Sequence, residues 1–445
     1  MSAVGRHLAM FCIAGGLLGA SQLSPRLAFF AWVGFALFVA AVERTPSRRW
    51  KCAGALLTCA VNHAVSLHWL VSTLSSYRPE GPPPWLLFAG LLGIVVLVTQ
   101  APVLLGCVLL RKLPGFCWLP ACWAAGEWLE ERVCDFTWGQ WLYSQWSVEP
   151  VLHVLARFGW YPVLLLCLTG VAAFGCALVH HGLPALAVGV AAVAVMTLAP
   201  VQAPDDRALS GIGAVSMADA AHPPLAFPKG LEVLVWPEGV MNARPRLEEG
   251  RDTSEVQLPG LPGQPGQGHF VGLLARSHAG VRNAAVFVDP RGQVRAMRAK
   301  RLLVPGGERS VLGVGPGSSL VPGDAPATLG PDARQGIALI CYEVFSRSLV
   351  LEGKRAGGRF IAVLASDRAL RDSPVAMRQI LGALVLRSAE SGLPAVRASL
   401  WGSAALISSQ GHILGQTRPG TSEVLSLPPR DAPQAEPPRG ESVGS

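Results

Sequence analysis

Three short stretches of this 445-residue chain each end an apolar run on a reactive side chain: Val235-Trp236-Pro237-Glu238, Ala299-Lys300-Arg301 and Ile340-Cys341-Tyr342-Glu343. Together they supply a carboxylate, a cation and a thiol. A thiol attacks only as thiolate, and with an ordinary pKa of about 8.5 it needs a base or cationic surroundings. Glu238 meets the first need by taking the thiol proton and later handing it to a leaving group. Lys300 meets the second as an ammonium facing the oxyanion of a tetrahedral intermediate. Glu308 and Glu343 are the carboxylates available to orient Lys300 or tune the base, and no histidine beside the cysteine is required. Taken singly, each residue has a plainer reading. Cys341 is then a small core residue, Glu238 a turn residue, and Lys300 a solvated charge in the basic run Arg295, Arg298, Lys300, Arg301. The ordered set argues for chemistry.

The elements that must present these groups are readable from periodicity. Leu231 to Trp236, Phe270 to Ala275, Ala284 to Val288, Gly336 to Ile340 and Phe360 to Ala365 are continuous apolar runs, as expected of strands buried on both faces. Between them, residues 375–391 place Met377, Ile380, Leu381, Leu384 and Ser388 on one side at helical spacing. The pattern predicts an α/β layered domain over 231–427, with its reactive groups gathered at strand ends. Pro237 fixes φ and ends the ladder just before Glu238, which puts that carboxylate at a strand terminus. The Pro- and Ala-rich stretch 201–230 reads as a linker or docking segment. The tail 428–445 is rich in Pro, Glu, Gly and Ser and is expected to be disordered.

Residues 1–200 are a different material. The chain is 51% hydrophobic and 15% charged with mean hydropathy +0.39, and nearly all of the excess lies before Pro200. There the apolar runs approach the roughly 20 residues that cross a bilayer core. Spans are expected near 8–22, 27–43, 52–72, 85–110, 114–129, 152–179 and 183–199, about seven in all. The first is read as a retained helix rather than a cleaved signal. Glu127 near the end of the fifth leaves a re-entrant piece open there. Arg44, Arg48, Arg49 and Lys51 fill one loop, and Arg111 with Lys112 fill another two crossings later. The intervening loops hold only Arg26, Arg78 and Arg132. Because Lys and Arg accumulate on the cytoplasmic side, an odd number of spans carries the second half to the periplasmic face of a bacterial inner membrane.

The net charge of +8 lacks the clustered basic and aromatic pattern of nucleic-acid binding, so no nucleic-acid contact is expected. Of ten cysteines, Cys12, Cys52, Cys59, Cys107, Cys117, Cys122, Cys134, Cys167 and Cys176 fall in or beside the apolar half. Cys341 is alone in the second half, which excludes a disulfide framework there. Nothing in the pattern calls for a metal or other cofactor.

The Glu-Lys-Cys order resembles the nitrilase (carbon–nitrogen hydrolase) superfamily. Seven leading spans, Trp236-Pro237-Glu238, Asn283 before an apolar strand ending Asp289-Pro290, Lys300-Arg301 with Leu303-Val304-Pro305 and Glu308, and Cys341-Tyr342-Glu343 resemble apolipoprotein N-acyltransferase. Trp138, Tyr143, Ser144, Gln145, Phe158-Gly159 and Tyr161 are similar to that family's segment between its fifth and sixth helices, so the likeness runs through about residue 418. It implies a multi-span helical membrane domain followed by a nitrilase-like α-β-β-α sandwich. It further implies Glu238 as general base, Lys300 as oxyanion stabiliser and Cys341 as the nucleophile that becomes a thioester. Trp236, Glu308, Tyr342 and Glu343 would be supporting or substrate-binding residues. The implied donor is a phospholipid, and the implied acceptor the amino group of a lipoprotein's N-terminal diacylglyceryl-cysteine.

Where that family reads Asn-Asp-Ala-Trp-Phe, this chain reads Ser366-Asp367-Arg368-Ala369-Leu370. Its continuation after Glu308 is Gly- and Pro-rich, and a closing C-terminal span is not seen. In these features it is more similar to the divergent TraB branch of conjugal-transfer proteins. Three readings therefore stand: a membrane cysteine acyltransferase, a nitrilase-type amidase, and a conjugation factor with diverged or lost acyltransferase activity.

Overall fold

The computed structural model describes residues 3–428 apart from 78–81, 111, 135–136, 181, 199–202, 242–244, 250–255, 259–260, 264, 311–318 and 371. Arg78, Arg111 and the tail expected to be disordered, from 429 onward, lie outside the described residues.

The apolar half folds into helices α1 (Ala3–Ser21), α2 (Phe30–Arg44), α3 (Arg48–Ser66), α4 (Leu70–Tyr77), α5 (Pro84–Leu109), α6 (Leu119–Val133), α7 (Glu149–Phe158), α8 (Trp160–His180) and α9 (Leu183–Leu198). Three stretches, Pro25–Arg44, Pro84–Leu109 and Trp160–His180, are long and apolar enough to cross a bilayer, and Leu183–Leu198 is a shorter apolar helix. Two of the expected spans are broken. The 52–72 segment stops at Ser66 and restarts as α4. The 152–179 segment divides at Gly159, whose φ of +77° with an extended ψ terminates α7, a backbone conformation open to glycine. Helix α7 buries Val151, Leu152, Val154 and Leu155 on one side, the stripe of an amphipathic helix lying on a core. Glu127, on α6, is buried and accepts from the Trp123 indole at 3.0 Å and from the Trp141 amide at 2.8 Å. It thereby caps the turn Trp141–Gln145.

The second half is built on strands β1 (Ile212–Met217), β2 (Val233–Val235), β3 (Gly268–Ser277), β4 (Gly280–Val288), β5 (Val294–Ala299), β6 (Thr328–Leu329), β7 (Gly336–Ile340), β8 (Phe360–Ser366), β9 (Ala395–Leu400), β10 (Ala405–Ile407), β11 (Ile413–Gln416) and β12 (Glu423–Ser426). The five apolar runs of the sequence are β2, β3, β4, β7 and β8. The stretch expected to be a linker is corrected by β1, which lies inside it, is buried along its whole length and pairs in parallel with both β2 and β9. Its small residues hid it. An added Cβ at Gly213 would meet the side chains of Leu231 and Leu234 at 2.8 Å, so the strand's lack of bulk is what lets its neighbours close over it.

The strands run in the order β5-β4-β3-β2-β1-β9-β8-β7-β6, and the two wings fold face to face. Val235, Phe270 and Phe287 from one wing share a core with Ile340, Phe360 and Leu364 from the other. Helices α10 (Arg347–Arg355) and α11 (Pro374–Ser391) cover the outer face of the β7–β9 wing. Among the described residues, the outer face of the other wing is covered by irregular chain carrying Phe227, Leu247, Leu258 and Leu261. The result is a membrane helical domain followed by an α/β domain whose two sheet wings share one core. Their cores are continuous, with Leu384 and Val385 of α11 in one cluster with Trp138, Tyr143, Val151 and Leu155. Arg387 of α11 lies over the Trp160 ring at 4.4 Å and pairs with Glu390 at 2.9 Å.

Close helix approach has a testable cost. A Cβ at Gly126 of α6 would sit 1.9 Å from the Thr99 carbonyl oxygen of α5. Gly126→Ala is expected to lower stability by about 1–3 kcal/mol through overpacking, read as a fall in the thermal midpoint of the detergent-solubilised chain. An unchanged midpoint contradicts the approach described.

Candidate active site

Because β4 runs against both β3 and β5 while β2, β3, β7 and β8 run together, β2, β5, β7 and β8 all end at the same edge of the sandwich. Glu238 follows β2, Lys300 follows β5, and Cys341 follows β7 directly. The Glu238 amide donates to the Ala365 carbonyl of β8 at 3.3 Å, which ties the loop of one wing to the other. Gly272 of β3 passes under this loop, where a Cβ would be 2.6 Å from the Glu238 Cα.

The Lys300 ammonium lies between two carboxylates, 3.6 Å from Glu238 and 2.8 Å from Glu308. The Asn283 amide nitrogen bridges the same pair, donating to Glu238 at 2.5 Å and to Glu308 at 2.8 Å. The second oxygen of Glu308 accepts the Val304 amide at 2.8 Å. The Cys341 thiol reaches the Ser366 carbonyl at 4.0 Å and lies close enough to Glu238 for each group to shift the other's pKa. Cys341 has φ +49°, a conformation that costs a non-glycine residue on the order of 1–3 kcal/mol and persists only where its surroundings impose it.

Glu343 imposes it. Its carboxylate takes the Arg298 guanidinium in two bonds of 2.5 and 2.7 Å. It also takes the amides of Ile340 at 2.9 Å and Arg301 at 2.7 Å. The short turn Cys341–Phe345 is thus fastened to the strand that delivers Lys300. Glu343 serves Arg298, so the expectation that it orients Lys300 is corrected. Glu308 alone of the two touches the lysine.

Burial, then the Glu238 charge, push the Cys341 thiol up to about 12 against the pull of Lys300. Glu238 is also raised, by burial first and by Glu308, with Lys300 opposing. Burial works against the Lys300 ammonium, but Glu238 and Glu308 outweigh it and hold it charged. At neutral pH the resting site therefore holds a protonated thiol and an ammonium, with Glu238 beside them as the acceptor for the thiol proton.

The structure brings together Glu238, Lys300, Cys341 and Glu308, and sets Glu343 behind them. Tyr342 forms a floor with Phe345 and Trp138 at ring separations of 5.7 and 6.3 Å. Trp236 is placed elsewhere: its indole is buried in the outer core and donates to His269 at 3.1 Å. Sequence reasoning gave no role to Arg298, Asn283 or the Asp367–Arg397 pair, which closes at 2.7 Å beneath the loop after β8. For Arg298 a signal existed, since Arg298 and Lys300 are two apart in a strand and must share a face.

A family model described as the apolipoprotein N-acyltransferase N-terminal domain matches residues 14–173. The apolipoprotein N-acyltransferase of Geobacter metallireducens is 25% identical, covering 93% of this chain and 87% of its own length. That of Sinorhizobium fredii is 26% identical over 50% of this chain and 45% of its own. That of Brucella suis is 31% identical over 41% and 37%. Among solved structures, an amidase from Nesterenkonia sp. is 18% identical with TM-score 0.34, covering 50% of this chain and 92% of its own.

A half with three helices long and apolar enough to cross a bilayer, carrying an α/β half in which a carboxylate, an ammonium and a thiol meet, defines a membrane enzyme. More narrowly, the chain is similar to apolipoprotein N-acyltransferases along nearly its whole length, and its residues 14–173 match the N-terminal domain of that family.

Two outcomes follow from the geometry. Glu343→Ala strands the Arg298 charge and is expected to cost about 3–5 kcal/mol, whereas the double change Arg298→Met with Glu343→Met recovers much of it; thermal unfolding of the three proteins checks this, and an unaffected single variant contradicts it. Glu238→Gln removes the neighbouring charge that most opposes the thiolate. The pH midpoint for iodoacetamide alkylation of Cys341, followed by mass spectrometry, is therefore expected to move down, and an upward or absent shift contradicts the assignment.

Proposed function

We propose that this protein moves an acyl group from a phospholipid, through a thioester on Cys341, to the N-terminal amine of a diacylglyceryl-cysteine lipoprotein, working on the periplasmic face of the bacterial inner membrane. The single observation that carries the reading is the Lys300 ammonium held between Glu238 and Glu308 beside the Cys341 thiol. The far-side placement is supported by the loop charges Arg44, Arg48, Arg49 and Lys51 on the opposite side of an odd set of spans. The relatives named above carry the acyltransferase name, which supports the same donor and acceptor.

In the first half-reaction Glu238 takes the thiol proton as sulfur bonds to the ester carbonyl carbon. Lys300 stabilises the oxyanion. The carbon–oxygen bond then breaks, and the proton on Glu238 passes to the departing alkoxide, leaving lysophospholipid and the thioester. In the second, the amine attacks the thioester carbonyl, Glu238 takes the amine proton, the carbon–sulfur bond breaks, and the proton returns to sulfur. Both substrates are lipids, so lateral diffusion delivers them to a site seated on a membrane half.

Incubation with labelled phospholipid is expected to give a hydroxylamine-sensitive adduct on Cys341. Glu238→Gln should slow its formation about 10²–10⁴-fold, the usual share of a general base. Mass spectrometry of lipoprotein N-termini in cells depleted of their own N-acyltransferase should show restored N-acylation. A folded, membrane-inserted protein that never acylates excludes the reading, and a thioester lost only to water assigns the amidase chemistry instead.

A further inference from the structure

Gln379, buried on α11, bonds to four groups of the membrane half. Its amide oxygen accepts from two indoles of the membrane half, Trp69 at 3.0 Å and Trp138 at 2.8 Å. Its amide nitrogen donates to the Ser66 carbonyl at 3.0 Å and to the Gln22 carbonyl at 3.3 Å. One side chain thus closes four bonds onto the ends of α1 and α3, the start of α4 and the loop before the Trp141–Gln145 turn. The two indoles are in contact, with ring centroids 4.6 Å apart. Trp138 in turn lies against Phe345 at 4.4 Å and Tyr342 at 6.3 Å, and both of those residues belong to the turn that begins with Cys341.

We propose that Gln379 is a positioning residue for lipid acylation, holding Trp69 and Trp138 so that the aromatic floor carries the register of the membrane half to the Cys341 turn. The inference rests on the acyl-transfer reading above. Its physical basis is the cost of a buried N–H without an acceptor. If Gln379 is absent, both indoles lose this shared acceptor, nothing at that point holds the two in one orientation, and the rings stacked on them shift too. The carboxylate, ammonium and thiol do not touch Gln379. A small soluble reagent therefore meets the same thiol, while a lipid ester held by the membrane half meets it out of line. Displacements near 1 Å of this kind cost about 10²-fold in rate.

The test uses the full-length protein in phospholipid vesicles, with two rates read on each variant: adduct formation on Cys341 from labelled phospholipid, and alkylation of Cys341 by iodoacetamide. Gln379→Met keeps the volume and removes the hydrogen bonds. It is expected to slow lipid acylation about 10²-fold while alkylation stays within about twofold of wild type. Trp138→Phe keeps a ring against Phe345 and removes one donor; it is expected to slow acylation in the same direction, and it keeps the test decisive if the glutamine variant does not fold. Because Gln379 acts through Trp138, the double variant should be no slower than Gln379→Met alone, the coupling expected of residues in one network. Acylation at the wild-type rate in either variant overturns the proposal. So does alkylation that falls in parallel with acylation, or losses that multiply in the double variant. A wild-type protein that forms no lipid adduct overturns the acyl-transfer reading itself, whereas a defect confined to the variants bears on Gln379 alone.

Discussion

The site depends on one buried ion pair. Arg298 and Glu343 are both shielded from solvent, and such a pair is held only when its remaining hydrogen-bonding capacity is used. Here it is. Arg298 also donates to the Ala338 carbonyl inside β7 at 2.6 Å, while Glu343 takes backbone amides from both sides of the cleft. The strand that ends on Lys300 and the turn that begins with Cys341 are thereby a single rigid object. Glu343 stays ionised because Arg298 and the donated amides outweigh its burial. This is what sustains the left-handed backbone at Cys341, which aims the sulfur at the edge where the β2 and β8 loops meet.

Around that object the charges are arranged to do opposite things to neighbouring groups. Lys300 gains its permanent charge from the two carboxylates it faces, and those carboxylates remain distinct because each is anchored differently. Glu308 is fixed by the Val304 amide and the lysine, and Glu238 is shared between Asn283, the lysine and the thiol. Of the two, Glu238 is the carboxylate that faces the thiol. The thiol and its base are both shifted upward by the same dry surroundings.

Much of this is legible in the sequence, and what was not has physical causes. Strands buried on both faces write themselves as unbroken apolar runs, so β2, β3, β4, β7 and β8 are visible, and with them the strand ends that carry the reactive groups. β1 is not visible, because Ile212-Gly213-Ala214-Val215-Ser216-Met217 has too little bulk to register beside a Pro-rich neighbour, although burial there is complete. The membrane half shows where apolar length lies but not where it bends, since Gly159 acts through a backbone angle. Glu343 misled because proximity in sequence to Cys341 suggested service to the site's lysine. Its partner, Arg298, is brought in across the sheet. Gln379 has no local signature at all: its four partners come from distant segments, and only the fold assembles them.

The position of β1 in the sheet also orders the birth of the molecule. This strand sits at the middle of the sheet, yet it pairs with β9 and β12, encoded at residues 395–400 and 423–426. The apolar half is made before the sheet and has its partners close at hand, whereas the sheet cannot close until residues 423–426 have been made. Truncation by even the last strand would leave β1 with an open, sticky edge, so a shortened chain is exposed to aggregation and proteolytic removal rather than left as a partly competent enzyme.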